Sequence, residues 1–387
     1  MSVTAARGFA AAGVSAGIRP SGNPDVAVVR ATEPAVGCAM WTTNQVQAAP
    51  VVVSRRHLTV AEPQAVVVNA GVANAATGRA GEADAVATAA HAAATLGLAT
   101  EEVLVLSTGV IGPRLPMDKL LGGVAAAAAA LSPAGGVDAA EAILTTDAGP
   151  KTSVASGDGF TVGGMAKGAG MIHPCLATML AVVTTDYPLA PGEADAFLRP
   201  AVEQSFNRIS VDGDCSTNDA VVLLARRAAT GRDQSRDAAF AAAVHDVCGD
   251  LARQIVADGE GATVVLEIVV SSASSPEEAE AIARRVATSP LVKTAAFGRD
   301  PNWGRVLAAA GSAPSNGGFA KLDPERLSVS FDGTPVFVDG TPTGEVPRLA
   351  GSACRIELDL ALGDGRAAYL ASDLSYDYVK LNAEYTT

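Results

Sequence analysis

Short apolar runs bounded by Gly, Pro and polar residues alternate along this chain with longer stretches of helical character. Residues 25–30, 64–69 and 103–106 read as buried strands, each closing in a polar or glycine-rich turn. Residues 82–96 and 117–131 read as helices. The run Ala125–Ala130 inside the second is strongly helix-forming and small enough to pack closely. Strands are expected at 160–165 and 179–185, on either side of a glycine-rich corner. Further on come helices at 191–206 and 238–258, a strand at 264–271 and a helix at 276–288. The last third carries strands near 327–331, 355–360 and 367–372. Residues 271–277 (S-S-A-S-S-P-E) can be a linker or a strand-to-helix turn, because Ser275-Pro276 followed by Glu277 and Glu278 is a good helix start. Residues 311–318 (G-S-A-P-S-N-G-G) are expected to form an exposed loop.

Composition narrows the kind of core. Of 387 residues 49% are apolar but only 4% aromatic, so the interior must be built from Ala, Val, Leu and Ile. The 39 glycines suit close approach of backbone to backbone. A formal net charge of −13 makes nucleic acid a poor partner, and the Arg pairs 55–56, 226–227 and 284–285 are isolated. Five cysteines, none in C-x-x-C spacing, and four scattered histidines point to neither a disulfide framework nor a zinc site. No apolar run reaches the ~18 residues of a membrane span, and the start lacks the apolar heart of a signal peptide. A cytoplasmic protein without a membrane partner is expected.

The stretch 163–186 carries the candidate chemistry: G-G-M-A-K-G-A-G-M-I-H-P-C-L-A-T-M-L-A-V-V-T-T-D. Gly168 and Gly170 allow a sharp turn, Lys167 sets a cation in it, and small Ala177 precedes Thr178 at the head of an apolar run. A Thr hydroxyl is a weak nucleophile and needs a base. A Thr at a chain terminus has one, its own α-amino group with an unperturbed pKa of about 7.7–8.0. Thr178 would become such a terminus if its hydroxyl attacked the Ala177 carbonyl, shifted the acyl group from nitrogen to oxygen, and water cleaved the ester. By pattern alone, Thr178 can equally be a half-buried residue of an ordinary strand.

Lys167–Leu180 (K-G-A-G-M-I-H-P-C-L-A-T-M-L) closely resembles the self-cleavage site of the ornithine acetyltransferases, also called bifunctional glutamate N-acetyltransferases. Matching stretches run along nearly the whole chain. They include T-N-Q-V-Q-A-A-P-V from Thr43, S-T-G-V-I-G from Ser107, L-P-M-D-K-L from Leu115 and L-T-T-D from Leu144. They continue with D-G-D-C-S-T-N-D from Asp212, D-G-E-G-A-T from Asp258, S-P-L-V-K-T-A from Ser289, D-P-N-W-G-R from Asp300 and the terminal L-N-A-E-Y-T-T from Leu381. The resemblance implies an autoprocessed αββα sandwich of N-terminal-nucleophile type with a smaller C-terminal α+β domain, divided as 1–276 and 277–387.

It implies that Thr178 is the nucleophile, that the chain is cut between Ala177 and Thr178, and that Thr108 and Gly109 form an oxyanion hole. Substrate contacts fall on Thr145, Lys167, Thr178, Glu260, Asn382 and Thr387. Lys167 suits an α-carboxylate and Glu260 the side-chain ammonium of ornithine. The implied reaction moves acetyl from N2-acetylornithine to glutamate through an acetyl-Thr178 ester, in the acetyl cycle of arginine biosynthesis. Acetyl-CoA is a further donor for some members. No metal or organic cofactor is implied, and the two fragments are expected to stay together as a heterotetramer of two α and two β chains.

This chain departs from the family pattern at Val72, in N-A-G-V-A-N, at Val264 after E-G-A-T, and at Trp41. Those departures bear on substrate fine-tuning. Two other readings are an amidohydrolase or aminopeptidase on the same fold, with water as acceptor, and a non-enzymatic paralogue. The intact Thr178, Lys167, Glu260 and C-terminal tail argue against both.

Overall fold

The computed structural model describes residues 2–173, 179–228 and 232–384. In chain order the elements are β1 (Phe9–Val14), β2 (Val26–Ala31), β3 (Ala35–Trp41), α1 (Ala49–Leu58), β4 (Ala65–Val72), α2 (Gly78–Leu96), β5 (Val103–Val110), α3 (Met117–Ala129), α4 (Gly136–Ala142), β6 (Lys151–Gly157), β7 (Phe160–Lys167), β8 (Leu180–Leu189), α5 (Asp195–Gln204), β9 (Ile209–Ser210), β10 (Ala220–Arg227) and α6 (Asp237–Ala257). They continue with β11 (Val265–Ala273), α7 (Pro276–Ala287), α8 (Pro290–Phe297), α9 (Trp303–Ala310), β12 (Pro314–Ser315), β13 (Gly318–Phe319), β14 (Ser328–Phe331), β15 (Thr334–Val338), β16 (Thr341–Pro342), β17 (Ala353–Asp359), β18 (Gly365–Ser372) and α10 (Tyr376–Glu384).

The chain forms two compact units. Among the described residues, the first holds those up to Asn207 and Asp214–Ile255; the second holds Arg208–Gly213 and Val256–Glu384. A division at 276/277 therefore falls inside the second unit. The reason is β11, which hydrogen-bonds to β17 on one side and β18 on the other and so belongs to the second sheet.

The first unit is a four-layer αββα sandwich. One sheet has the strand order β1-β2-β4-β5 and the other β3-β10-β8-β7-β6. Their inner faces share one core: Val66, Val68, Leu104 and Leu106 of the first sheet cluster with Met165, Leu180, Val182 and Val222 of the second. The outer face of the first sheet, Val28, Val67 and Val105, is covered by Ala85, Ala89 and Ala92 of α2 and Leu120, Val124 and Ala127 of α3. Helix α6 covers the outer face of the second, where a Cβ built on Gly164 would lie 2.8 Å from Val247 and 2.9 Å from Leu251. Two covered faces explain the near-continuous apolar runs of the parallel pairs β4–β5 and β8–β10. Four of the first unit's aromatic residues form one cluster. Tyr187 stacks on Phe240 at 4.3 Å, Phe160 and Phe197 meet Phe240 edge-on, and Arg232 lies over Phe197.

The second unit is a mixed seven-stranded sheet of order β16-β15-β14-β17-β11-β18-β9. Leu266, Ile268 and Val270 of β11 pack with Ala279, Ile282, Ala283 and Val286 of α7. Residues 271–277 are the strand-to-helix turn, not a linker. The Ser275 hydroxyl caps the Glu278 amide, Pro276 opens the helix, and Arg284 and Arg285 complement its C-terminal end. The loop at 311–318 contains a small hairpin, β12–β13, whose Asn316 and Gly317 both have positive φ. The helix expected from 191 starts later, at Asp195, because Gly192 turns with φ +83° and the Glu193 carboxylate accepts the Ala190 amide.

Gly164 sets how closely α6 approaches the sheet. Gly164→Ala should lower stability by about 1–3 kcal/mol, the usual cost of overpacking. The thermal unfolding midpoint reads this directly, and an unchanged midpoint would mean that helix and sheet tolerate a wider gap.

Candidate active site

The first unit's site is built where strands end. β4 and β5 run parallel with Ala70 opposite Thr108 and Gly71 opposite Gly109. Gly109 has φ +128°, and a Cβ there would fall 2.2 Å from the Gly71 carbonyl carbon, so only glycine fits. Gly71 in turn lies against Arg19, whose Cγ is 3.0 Å from where a Cβ would stand. The Arg19 guanidinium donates to the carbonyls of Leu144 at 3.0 Å and Thr145 at 3.3 Å. The buried Asp25 carboxylate orients the Arg19 segment by accepting the amides of Ala16, Ile18 and Arg19. An unbroken set of contacts thus leads from Thr108–Gly109 to the Thr145 loop.

That loop is closed by Asp147. Its carboxylate accepts the Thr145 amide at 3.0 Å, the Gly168 amide at 2.6 Å and the Lys151 ammonium at 2.7 Å. Lys167 stands 3.9 Å away across the same carboxylate. All three charged side chains are buried, Asp147 at 0% and both lysines at 3% side-chain exposure. Burial alone would raise the Asp147 carboxyl. The charges of Lys167 and Lys151 and the hydrogen bonds from Lys151 and Thr145 outweigh it and hold the group well below the usual carboxylate range. The glycine corner read in the sequence is real: Gly168 has φ +150° and Met171 φ +56°, and Asp147 fixes it from below.

A third set of contacts joins the start of β10 to this region. Asn218 donates to the carbonyls of Ser107 at 2.9 Å and Ala73 at 2.6 Å, and Thr217 donates to its side-chain oxygen. Ser107 donates to Asn69, which donates to the Val72 carbonyl. Asp219 accepts the Met179 amide at 3.1 Å. Thr108, Gly109, Thr145 and Lys167 therefore belong to one connected region of the first unit. Ala177 and Thr178 lie outside the described residues.

Glu260 and Asn382 meet in the second unit, where the Asn382 amide donates to Glu260 at 2.9 Å. Helix α10 is seated on the Glu260 loop: Ser375 donates to the Gly261 carbonyl, and a Cβ on Gly261 would strike the Tyr378 amide at 2.4 Å. Asp373 holds the loop's other end through Thr263 and Val264. Thr387 lies outside the described residues. The departures are packing positions: Val264 is buried in the second unit's core, Val72 packs against the α2–α3 core, and Trp41 borders the inter-sheet core.

The sequence reading missed Asp147, Lys151, Asn218 and Asp219. Asp147 and Asp219 end the quoted stretches L-T-T-D and D-G-D-C-S-T-N-D, but an acid in a motif does not announce that it will be buried. Among the described residues no group of three or more His, Cys, Asp or Glu could hold a metal ion, no helix is long and apolar enough to cross a membrane, and Cys38, Cys215, Cys248 and Cys354 are free thiols.

The four-layer αββα sandwich of the first unit is the fold of the N-terminal-nucleophile proteins. Within that class the chain belongs to the ArgJ family, which matches residues 10–387. It is 49% identical to the arginine biosynthesis bifunctional protein ArgJ of Mycolicibacterium paratuberculosis, over 100% of this chain and 96% of that protein. It is 48% identical to the protein of the same name from Streptomyces coelicolor, over the full length of both. Among solved structures it is similar to the ornithine acetyltransferase of Mycobacterium tuberculosis in complex with ornithine. That likeness has 50% identity and a TM-score of 0.44, over 45% of this chain and 94% of the other.

The buried carboxylate gives the site an acid sensitivity of defined sign. Asp147 has a folded-state pKa below its unfolded value, so its contribution is present above the unfolded pKa, about 3.9, and is lost as pH falls through the folded one. Asp147→Asn should cost about 3–5 kcal/mol at pH 7 by leaving two buried ammonium groups without their shared anion. The gap to the wild type should narrow as pH falls below about 4. Denaturant melts at pH 7 and pH 3 measure both, and a pH-independent gap would show that the charge is not what matters.

Proposed function

We propose that this protein is a self-cleaving acetyltransferase of arginine biosynthesis, moving acetyl from N2-acetylornithine to glutamate through Thr178. The observation that carries the reading is the buried Lys167–Asp147–Lys151 cluster: it anchors both the Thr145 loop and the Gly168 corner that leads toward the Ala177–Thr178 bond. Spending a buried ion cluster on a surface-to-strand connection is costly unless that connection must be held in one geometry.

In this reading the Thr178 hydroxyl first attacks the Ala177 carbonyl, and water hydrolyses the resulting ester. The freed α-amino group then serves as base. It takes the hydroxyl proton as Thr178 attacks the acetyl carbonyl of acetylornithine, and it returns the proton to the departing ornithine amine. Each half-reaction builds an oxyanion, for which the Thr108 hydroxyl and Gly109 amide are the donors. Lys167, a buried ammonium beside Thr145, binds the substrate α-carboxylate. Glu260, held by Asn382, recognises the side-chain ammonium of ornithine, and Thr387 contributes from the tail. Some donors can be thioesters such as acetyl-CoA, because the acyl-enzyme forgets its donor. The fragments 1–177 and 178–387 remain one assembly, a heterotetramer of two copies of each.

The purified protein should run as two bands on a denaturing gel, with Thr at the N-terminus of the second. Thr178→Ala should stay uncut and inactive. A single intact chain with full activity would sink the proposal. Double-reciprocal plots for acetylornithine at several glutamate levels should be parallel, as a covalent intermediate requires. Release of acetate without glutamate would favour a hydrolase instead.

Glu260→Gln and Thr108→Ala separate recognition from catalysis. Glu260→Gln should impair acetylornithine as donor and spare acetylglutamate in the exchange reaction. Thr108→Ala should slow every donor by about 10²–10³. The opposite pattern, a donor-independent Glu260 effect and a donor-selective Thr108 effect, would refute the assignment.

A further inference from the structure

Lys293 is a buried cation of the second unit that the reaction above does not use. It lies in α8, within the S-P-L-V-K-T-A stretch, and is 4% exposed. Its ammonium donates to the Ser372 carbonyl and, at 3.4 Å, to the Ser372 hydroxyl. Its own carbonyl accepts the Leu374 amide at 3.3 Å. One residue thus grips the chain on both sides of Asp373, where β18 ends and the connection to α10 begins. Two carboxylates face the ammonium, Asp373 itself and Asp212 just after β9, and burial still brings the group down to about 8. A charge kept in such a place is costly, and an apolar side chain of similar length would fill the space more cheaply.

The grip acts on the support of the Glu260 loop. The Asp373 carboxylate accepts the Thr263 amide at 2.8 Å, the Val264 amide at 3.1 Å and the Thr263 hydroxyl, and the Asp373 amide donates to the Val264 carbonyl at 3.0 Å. Glu260 stands three residues before Thr263. Beyond Asp373 the chain passes through Ser375, which donates to the Gly261 carbonyl, and enters α10, whose Asn382 donates to Glu260 at 2.9 Å. Both supports of the loop therefore start from the segment 372–374 that Lys293 holds. Glu260 is only half-buried and its partner Asn382 is exposed, and a lightly held side chain points accurately only if its backbone is fixed.

We propose that Lys293 is a positioning residue for donor recognition: by fixing residues 372–374 it fixes the Glu260 carboxylate. The proposal rests on the reading of Glu260 as the acid that meets the side-chain ammonium of ornithine. A lysine that only stabilised the fold would serve every substrate equally. A lysine acting through Glu260 serves only the donor that carries the ammonium.

Lys293→Met keeps the length and the apolar stem of the side chain and removes the charge. It should raise KM for acetylornithine by about fivefold, the usual strength of a half-exposed ion pair, with kcat nearly unchanged. KM for acetylglutamate in the exchange reaction should not move. An equal rise for both donors in a folded variant, or a rise for neither, would overturn the proposal. The wild type gives a second measurement that needs no variant. The Lys293 charge is present below about pH 8 and lost above it. The ratio of kcat/KM for acetylornithine to that for acetylglutamate should therefore fall between about pH 7 and about pH 9, well below the ~10.4 at which an alkylammonium such as that of ornithine titrates. Titrations common to both donors cancel in the ratio, and a flat ratio would equally overturn the proposal. Glu260→Gln tells the two readings apart. If it does not discriminate between the donors, the reading of Glu260 is wrong and the proposal falls with it. If it does, while Lys293→Met and the pH ratio show no donor preference, the Lys293 proposal alone fails.

Discussion

The Asp147 carboxylate is the contact on which the first unit's site depends. It collects two buried ammonium groups and two backbone amides from four places in the chain: Thr145, Lys151, Lys167 and Gly168. Each of these alone would be hard to bury. A lysine inside a protein tends to lose its proton, and a backbone amide at a glycine turn tends to seek water. Held by one anion, the lysines have a shared counter-charge and the corner is tied to the Thr145 loop. The anion is stabilised in return, which is why its pKa falls despite burial.

The scaffold explains why this cluster can be so dry. Two sheets share an interior of Ala, Val and Leu, and helices close both outer faces, so the strand ends project from a fully covered body. Small side chains do this well. Alanines let α2 lie close to its sheet, and Gly164 does the same for α6. Rigid strand ends fix functional atoms more tightly than loops can. The Gly71–Gly109 approach is the sharpest instance, where two strand backbones pass too near for any Cβ.

The second unit contributes a different kind of order. Its Glu260 loop is pinned by Asp373 at one end and by α10 through Ser375 at the other. Glu260 itself stays half exposed and bonded to the exposed Asn382. An acid kept at the surface and lightly held can exchange its partner at little desolvation cost, which a buried one could not. Lys293 shows the contrast: it is buried, it donates to the Ser372 carbonyl, and burial brings its ammonium down to about 8 in spite of Asp373 and Asp212.

Much of this protein was legible in its residues. Strong periodic segments such as β5, α2, α3, α6 and α7 stand where their apolar patterns put them, because burial of one stripe or of two faces is a local property of sequence. Lys167, Thr108, Gly109, Thr145, Glu260 and Asn382 were singled out by motif resemblance. The structure joins the first four in one region of the first unit and sets Glu260 against Asn382 in the second. Other elements were silent. β1, β3, β6 and α4 are short or Ala- and Gly-rich, with no period strong enough to read; the strands are fixed by pairing with β2, β10 and β7, and α4 by packing in the inter-sheet core. The membership of β11 was likewise invisible, since a strand's sequence does not name its partners. Asp147 and Asp219 show the limit most clearly. Either could have been a surface acid, and only the fold decides that one is met by two lysines while the other is buried against the Met179 amide. A charge's meaning depends on what surrounds it, and those surroundings come from segments far apart in the chain.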